Sequence, residues 1–282
     1  MRDGMRGAVH RGAGSFTLPD HAGEAHRGAI EERNMLCVWT VRSHEYADEV
    51  PRFLGQLPAS ERQRAEAFHF ERDRVSYAVS HYALRQVLAG HLGLDGFGHA
   101  FEIGPRGKPS LPRAFADSGL EFSLSHTHGL ALIAVSRLGV VGVDVERVVD
   151  TVDVHGLAAS VFAESESRHL AGLDAAAARH GFFRLWVRKE AYVKARGIGL
   201  ADGLREPVLD PAALDAAGGA QVRHAGGSTW AEWPIAVPDG YCAALYQCLD
   251  NAASAVRVVP EIRAWRPADR QDEAVRQQRA VP

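Results

Sequence analysis

Two acids, Asp144 and Glu146, sit among β-branched residues in the stretch VVGVDVER at 140–147. Side chains alternate across a strand, so Gly142, Asp144 and Glu146 share one face and Val141, Val143 and Val145 the other. The two carboxylates then stand about 6–7 Å apart along the strand. Acids aimed the same way in apolar surroundings are costly unless they share a cation or titrate as a pair. A third acid and a cation occur in WVRKEAYVKARGIGL, where Trp186, Glu190 and Lys194 fall at i, i+4 and i+8 and so line one helix face. Carboxylate oxygens from Asp144, Glu146 and Glu190, completed by water and phosphate oxygens, would suit Mg²⁺. An exposed strand face and an exposed i,i+4 Glu–Lys pair are the plainer readings of the same residues. Ser125 and His126 close the segment FSLSH, and His126 with His128 makes an H-x-H pair that zinc can use, but no third ligand follows nearby. Arginines 62, 64, 72, 74 and 85 have the planar fork that suits phosphate, and they equally suit a solvated helix face.

These residues need elements to position them. An apolar strand begins at MLCVWTV, with Met35 a candidate start. The segment from Pro58 to Gly93 reads as two helical pieces, with Ser60 as N-cap and Gly90 and Gly93 marking the end. A loop, GPRGKPSLP, leads to EFSLSHTHGLALIAVS; after the turn RLG, residues 130–146 read as an antiparallel hairpin that carries Ser125 and His126 towards Asp144 and Glu146. An alanine-rich helical region follows Val149, broken near Gly181 and closed by Gly197 and Gly199. Short strands occupy Pro207 to Leu249, with a turn at Pro238-Asp239-Gly240. The order favours an α+β fold of two similar lobes, 35–139 and 140–266, joined near Gly142, with an unfolded extension at 1–34 and a polar tail at 267–282.

Composition narrows the function classes. The 282 residues are 46% hydrophobic and 24% charged, with a formal net charge of -3, so nothing general favours nucleic acid. Cys37, Cys242 and Cys248 are too few for a disulfide framework and contain no C-x-x-C pair, which points to a reducing, cytoplasmic setting. The first 34 residues, rich in Gly, Arg and His, have no apolar run to make a signal peptide or membrane anchor.

VGVDVERV followed by LWVRKEAYVKARGIGL resembles the paired signature of the 4′-phosphopantetheinyl transferases of the larger, surfactin-synthetase-activating type. RGKP at 106–109, FSLSH at 122–126 and DRVSYAVSHYALR at 73–85 match in family order, and the resemblance runs from about Met35 to Leu249. It implies a pseudo-twofold pair of α/β lobes with coenzyme A in the cleft between them. By position, it implies that Asp144, Glu146 and Glu190 bind Mg²⁺ and that Lys194 contacts the pyrophosphate. Ser125 and His126 match phosphate contacts, and Lys108 and Pro109 match positions near the adenine. Arg64, Arg74 and Tyr77 match the nucleotide end and its 3′-phosphate. The implied activity transfers phosphopantetheine from coenzyme A to a serine of an acyl or peptidyl carrier protein, with Glu190 as base; the larger family type tends towards monomers, and neither nucleic acid nor a membrane is implied as a partner. The rivals are a non-catalytic module that binds coenzyme A or carrier proteins, and an Mg²⁺-dependent phosphohydrolase.

Overall fold

The computed structural model describes residues 35–199, 204–210, 221–249 and 259–267; the expected extension at 1–34 and all but the first residue of the expected tail lie outside them. The chain enters on β1 (Leu36–Val41) and continues through helices α1 (Val50–Gln56), α2 (Ala59–Glu66) and α3 (Glu71–Leu92). A two-residue ladder, β2 (Glu102–Ile103) and β3 (Pro109–Ser110), precedes the hairpin of β4 (Glu121–Thr127) and β5 (Leu130–Ser136). Strand β6 (Val141–Arg147) opens the second half, followed by α4 (Val154–Val161), α5 (Glu164–Ala171), α6 (Ala175–Arg196), β7 (Gln221–Ala225), β8 (Ser228–Pro234) and β9 (Tyr241–Leu249). The last strand, β10 (Glu261–Ala264), returns to β1.

Two four-stranded sheets result, ordered β10-β1-β5-β4 and β6-β9-β8-β7. The period-2 pattern of β1 explains how the first sheet serves two cores. Cys37 and Val41 face the cluster formed with α1 and α3, whereas Leu36 and Val38 enter a cluster shared with Val141, Val143, Val145 and Leu245 of the second sheet. A third cluster lies between the second sheet and α4–α6, with Phe162, Phe182, Tyr192 and Tyr246 at its centre. Each half therefore pairs a four-stranded sheet with three helices, as expected of a two-lobed α+β fold. Among the described residues no helix is long and apolar enough to cross a membrane.

Four expectations need correction. Residues 130–146 do not form a hairpin: β5 pairs with β4 and β1, and β6 pairs antiparallel with β9, placing Asp144 opposite Ala244. The tight turn at His128-Gly129, with Gly129 at φ 83, joins β4 to β5 instead. Ser60 lies inside α2, because Pro58, with φ -54 and ψ 151, takes the N-cap position. Gly181 does not break a helix; α6 runs through it, and a Cβ there would press on Leu170 of α5, so the glycine permits close packing. Residues 261–264, expected in the C-terminal lobe, join the first sheet because Trp265 buries its ring against Tyr46, Phe53 and Tyr82. The described residues make one unit, so a cut at 139/140 would divide that strand from its partner.

Candidate active site

The site forms where the open edges of the two sheets meet. Strand β4 is the last of one sheet and β6 the first of the other, and serine hydroxyls of β4 bridge them. Val143 N donates to Ser123 Oγ at 3.1 Å and Val145 N to Ser125 Oγ at 3.3 Å. These side chains satisfy edge amides of β6 that no neighbouring strand reaches. On the opposite flank, α6 lies directly on β6 at Gly142, where a Cβ would overlap Ala191 O and Ala195 N. Only glycine allows that approach, and it brings the Glu190–Lys194 face of α6 beside Asp144.

Asp144 is buried, 1% exposed. Its Oδ1 accepts from Ser125 Oγ at 2.7 Å and from Lys194 Nζ at 2.5 Å, and Lys194 also donates to Ser125 Oγ at 3.0 Å. Ser125 thus accepts from an ammonium and an amide and spends its one proton on Asp144, which fixes its orientation. The other oxygen, Asp144 Oδ2, is buried without a hydrogen-bond partner among the described residues. Two residues on, Glu146 Oε2 accepts from Thr127 Oγ1 at 3.3 Å. Burial, then the charge of Asp144, pushes Glu146 up to about 7 against the pull of Lys194. Glu190 is raised to about 7 by the same burial and the same neighbour. Burial works against the Lys194 ammonium, but Asp144, Glu190 and Glu146 outweigh it and raise its pKa. One cation therefore stands among three acids.

That imbalance fits a further positive charge. The donors are hard carboxylate oxygens, and a buried orphan oxygen is what a metal ligand looks like without its ion. The three are not drawn into a finished shell: among the described residues no group of three or more His, Cys, Asp or Glu side chains is assembled around a common point, the His126–His128 pair included.

A second cluster lies beside this one. His126, next to Ser125 on β4, presents its ring edge to Tyr77 of α3, with centroids 6.3 Å apart. The Arg64 guanidinium of α2 sits 5.9 Å from the Tyr77 ring centre. Desolvation, then His81, Lys194 and Arg64, pushes His126 down to about 4, so it is neutral at pH 7 until an anion arrives. Arg74 is not drawn in; it makes two hydrogen bonds to Glu71 on its own helix, at 2.6 and 2.7 Å. Lys108 reaches across to α6, donating to Ala195 O at 2.9 Å and Val141 O at 3.4 Å, and its neighbour Pro109 pairs with Ile103. The resemblance did not reveal His81, stacked on Tyr77 at 3.9 Å, or Glu61 beside it. The i,i+4 spacing of Tyr77 and His81 was a usable signal; the partnership with Glu61, 20 residues away, had none.

A cleft of about 700 Å³ opens beside Glu146, walled by Thr127, Leu157, Phe182, Phe183 and Trp186. Trp186 is therefore both packing for Phe162 and Phe182 and part of an open surface.

Comparison with known proteins converges on the same segment. Residues 140–245, which carry β6 and α6, match the 4′-phosphopantetheinyl transferase superfamily. The chain is 35% identical over 164 residues to the 4′-phosphopantetheinyl transferase HetI of Nostoc sp. (strain PCC 7120 / SAG 25.82 / UTEX 2576), covering 58% of this chain and 69% of the relative. It is 28% identical over 156 residues to a 4′-phosphopantetheinyl transferase of Bacillus subtilis, covering 55% and 66%. To the 4′-phosphopantetheinyl transferase Sfp of Bacillus subtilis (strain 168) it is 24% identical over 154 residues, again covering 55% and 66%. The acids on β6, the Glu-Lys face of α6 and these likenesses agree: the chain belongs to the 4′-phosphopantetheinyl transferase family.

Proposed function

We propose that the chain transfers 4′-phosphopantetheine from coenzyme A to a serine hydroxyl of an apo acyl or peptidyl carrier protein, releasing adenosine 3′,5′-bisphosphate. The observation that carries this reading is the node of Asp144, Glu146 and Glu190 around Lys194, at the seam of the two sheets. Asp144, Glu146 and Glu190 would hold Mg²⁺, which when bound supplies positive charge against the pyrophosphate. Lys194, its pKa raised and its side chain about a third exposed, donates to the oxygen of the departing nucleotide phosphate. Glu190 takes the proton of the serine hydroxyl as its oxygen bonds to the β-phosphorus and the bridging P–O bond breaks. Ser125 and His126 orient the phosphates, and the Arg64–Tyr77 pair receives the nucleotide end. The cleft beside Glu146, apolar on its Leu157, Phe182, Phe183 and Trp186 side and charged at Arg72, Asp73 and Arg147, gives the pantetheine arm and the carrier a route to the reacting atoms. The three cysteines are all free, in keeping with a reducing compartment.

The test is to incubate the chain with coenzyme A, Mg²⁺ and several apo carrier proteins and to weigh the carriers by mass spectrometry. One added phosphopantetheine per carrier supports the transfer. Phosphopantetheine free in solution with carriers unchanged would mean hydrolysis, and binding without either product would mean a non-catalytic module.

A further inference from the structure

Tyr77 carries partners on more than one side. His81, one turn further along α3, stacks on its ring at 3.9 Å and 24°. The His126 ring stands edge-on to both, 6.3 Å from Tyr77 and 6.4 Å from His81. With the Arg64 guanidinium against Tyr77, three basic side chains from α2, α3 and β4 gather about one phenol. Burial, then His81, Lys194 and Arg64, disfavours charge on His126, and Asp73 is the one acid that acts on it, so an anion placed among these rings would find donors on several sides.

His81 is further held from behind. Its Nδ1 lies 3.4 Å from Glu61 Oε1, near enough for charge but not aligned as a hydrogen bond. Glu61 is itself fixed, accepting from Arg85 Nε and Nη2 at 2.8 Å each. Arg85 in turn donates to Phe97 O and His99 O at 2.8 and 2.9 Å. Burial alone would raise the Glu61 pKa; the hydrogen bonds from Arg85, then the neighbouring His81, bring it to about 2, so the carboxylate stays charged. A carboxylate facing one imidazole nitrogen and a phosphate facing the other would each accept from the ring, so both nitrogens can serve as donors when the anion is bound. No described side chain hydrogen-bonds His81 Nε2.

We infer that His81, braced by Glu61, is a further substrate-binding residue, giving Nε2–H to the 3′-phosphate of coenzyme A alongside Arg64 and His126. The inference rests on the transferase reading, since the carboxylate node accounts for the pyrophosphate and a second, separate phosphate is left for this cluster. It also makes Glu61 a positioning residue, acting on the phosphate only through His81.

The decisive measurement compares coenzyme A with dephospho-coenzyme A, which lacks only the 3′-phosphate, by calorimetric titration of the full chain at pH 7. The wild type should prefer coenzyme A. His81→Ala should weaken coenzyme A roughly tenfold, the worth of one charge-assisted bond, and dephospho-coenzyme A by less than about twofold. His81→Gln, which keeps a donor near the Nε2 position without the charge, should recover part of the loss, and thermal melts confirm that both variants fold. Glu61→Gln should give a smaller loss with the same preference for coenzyme A. Equal weakening of both ligands would show that His81 only packs against Tyr77 and would overturn the inference, as would no weakening of either. A wild-type chain that binds neither ligand would overturn the transferase reading itself, which this design separates from failure of His81.

Discussion

Helix α6 carries two lysine–carboxylate pairs five residues apart, and they could hardly differ more. Lys189 and Glu166 are both 0% exposed and meet at 2.8 Å. Every remaining valence is answered: Lys189 Nζ donates to Leu204 O and Pro207 O, while Glu166 accepts from Ala163 N and Leu209 N. Charge is balanced one to one, and the pair pins α5, α6 and the segment 204–209 together. Lys194 and Asp144 are also joined, at 2.5 Å, but Asp144 Oδ2 is left over, Lys194 is 32% exposed along its side chain, and two further acids crowd the pair. The lesson is that a buried ion pair alone says nothing about function; unspent valence and unbalanced charge do.

The largest expected effect breaks the closed pair. Lys189→Met strands the Glu166 carboxylate in the core, which costs about 3–5 kcal/mol. Replacing both partners with apolar residues of similar volume should recover most of it, because no charge is then left unpaired. Urea unfolding of the three proteins reads this directly. If Lys189→Met unfolds at the wild-type midpoint, the pair is not the brace described here.

The open pair should respond in the opposite way. Asp144→Asn keeps an acceptor for Ser125 but removes the charge, so turnover with Mg²⁺ should fall by at least about a hundredfold while stability falls by less than it does in Lys189→Met. Lys194, about a third exposed along its side chain, can turn towards water when its partner's charge is lost, as Glu166 cannot. Melting curves and transfer rates belong on the same sample. A variant that melts far earlier yet keeps near-normal turnover would make Asp144 a structural acid.

A pH series sharpens the contrast further. Glu190 is raised in the folded chain from its ordinary 4.5 to about 7, so the folded state binds that proton more tightly than the unfolded state. Its contribution is therefore fully present below about 4.5 and is lost as pH rises through 7. Glu190→Gln is neutral throughout and escapes that loss. Without metal, the variant should gain on the wild type by roughly 3 kcal/mol between pH 4.5 and pH 8. Parallel stability profiles would remove Glu190 from the charged node.

Much of this was legible in the chain, and the gaps have physical causes. The alternation at 140–147 and the i,i+4 spacing at 190 and 194 identify the reacting faces because both depend only on backbone period. What sequence could not supply was how the faces meet. A hairpin through 130–146 brings Ser125 to Asp144 on paper, and the two do meet, but through a seam of serine hydroxyls between sheets that local patterning does not encode. Gly142 looked like a joint between lobes; it is the bare floor on which α6 rests. Lys189, beside Glu190 in sequence, faces the opposite side of the helix and belongs to the brace.

The smallest effect, and the finest test of the comparison, lies in that seam. Ser123 and Ser125 do the same structural work two residues apart, each accepting one amide of β6, yet only Ser125 also touches Asp144 and Lys194. Ser123→Ala and Ser125→Ala each leave a buried amide unanswered, which costs about 1–2 kcal/mol. Their stabilities should therefore fall together, by similar amounts. Their activities should part: Ser123→Ala should turn over at close to the wild-type rate, while Ser125→Ala loses the hydroxyl that fixes Lys194 against Asp144 and should weaken coenzyme A binding several-fold. Denaturant midpoints and transfer kinetics for the two variants, measured side by side, read both quantities. Equal losses of activity would mean that the seam acts only through the spacing of the sheets, and that Ser125 has no part in holding the substrate's phosphates.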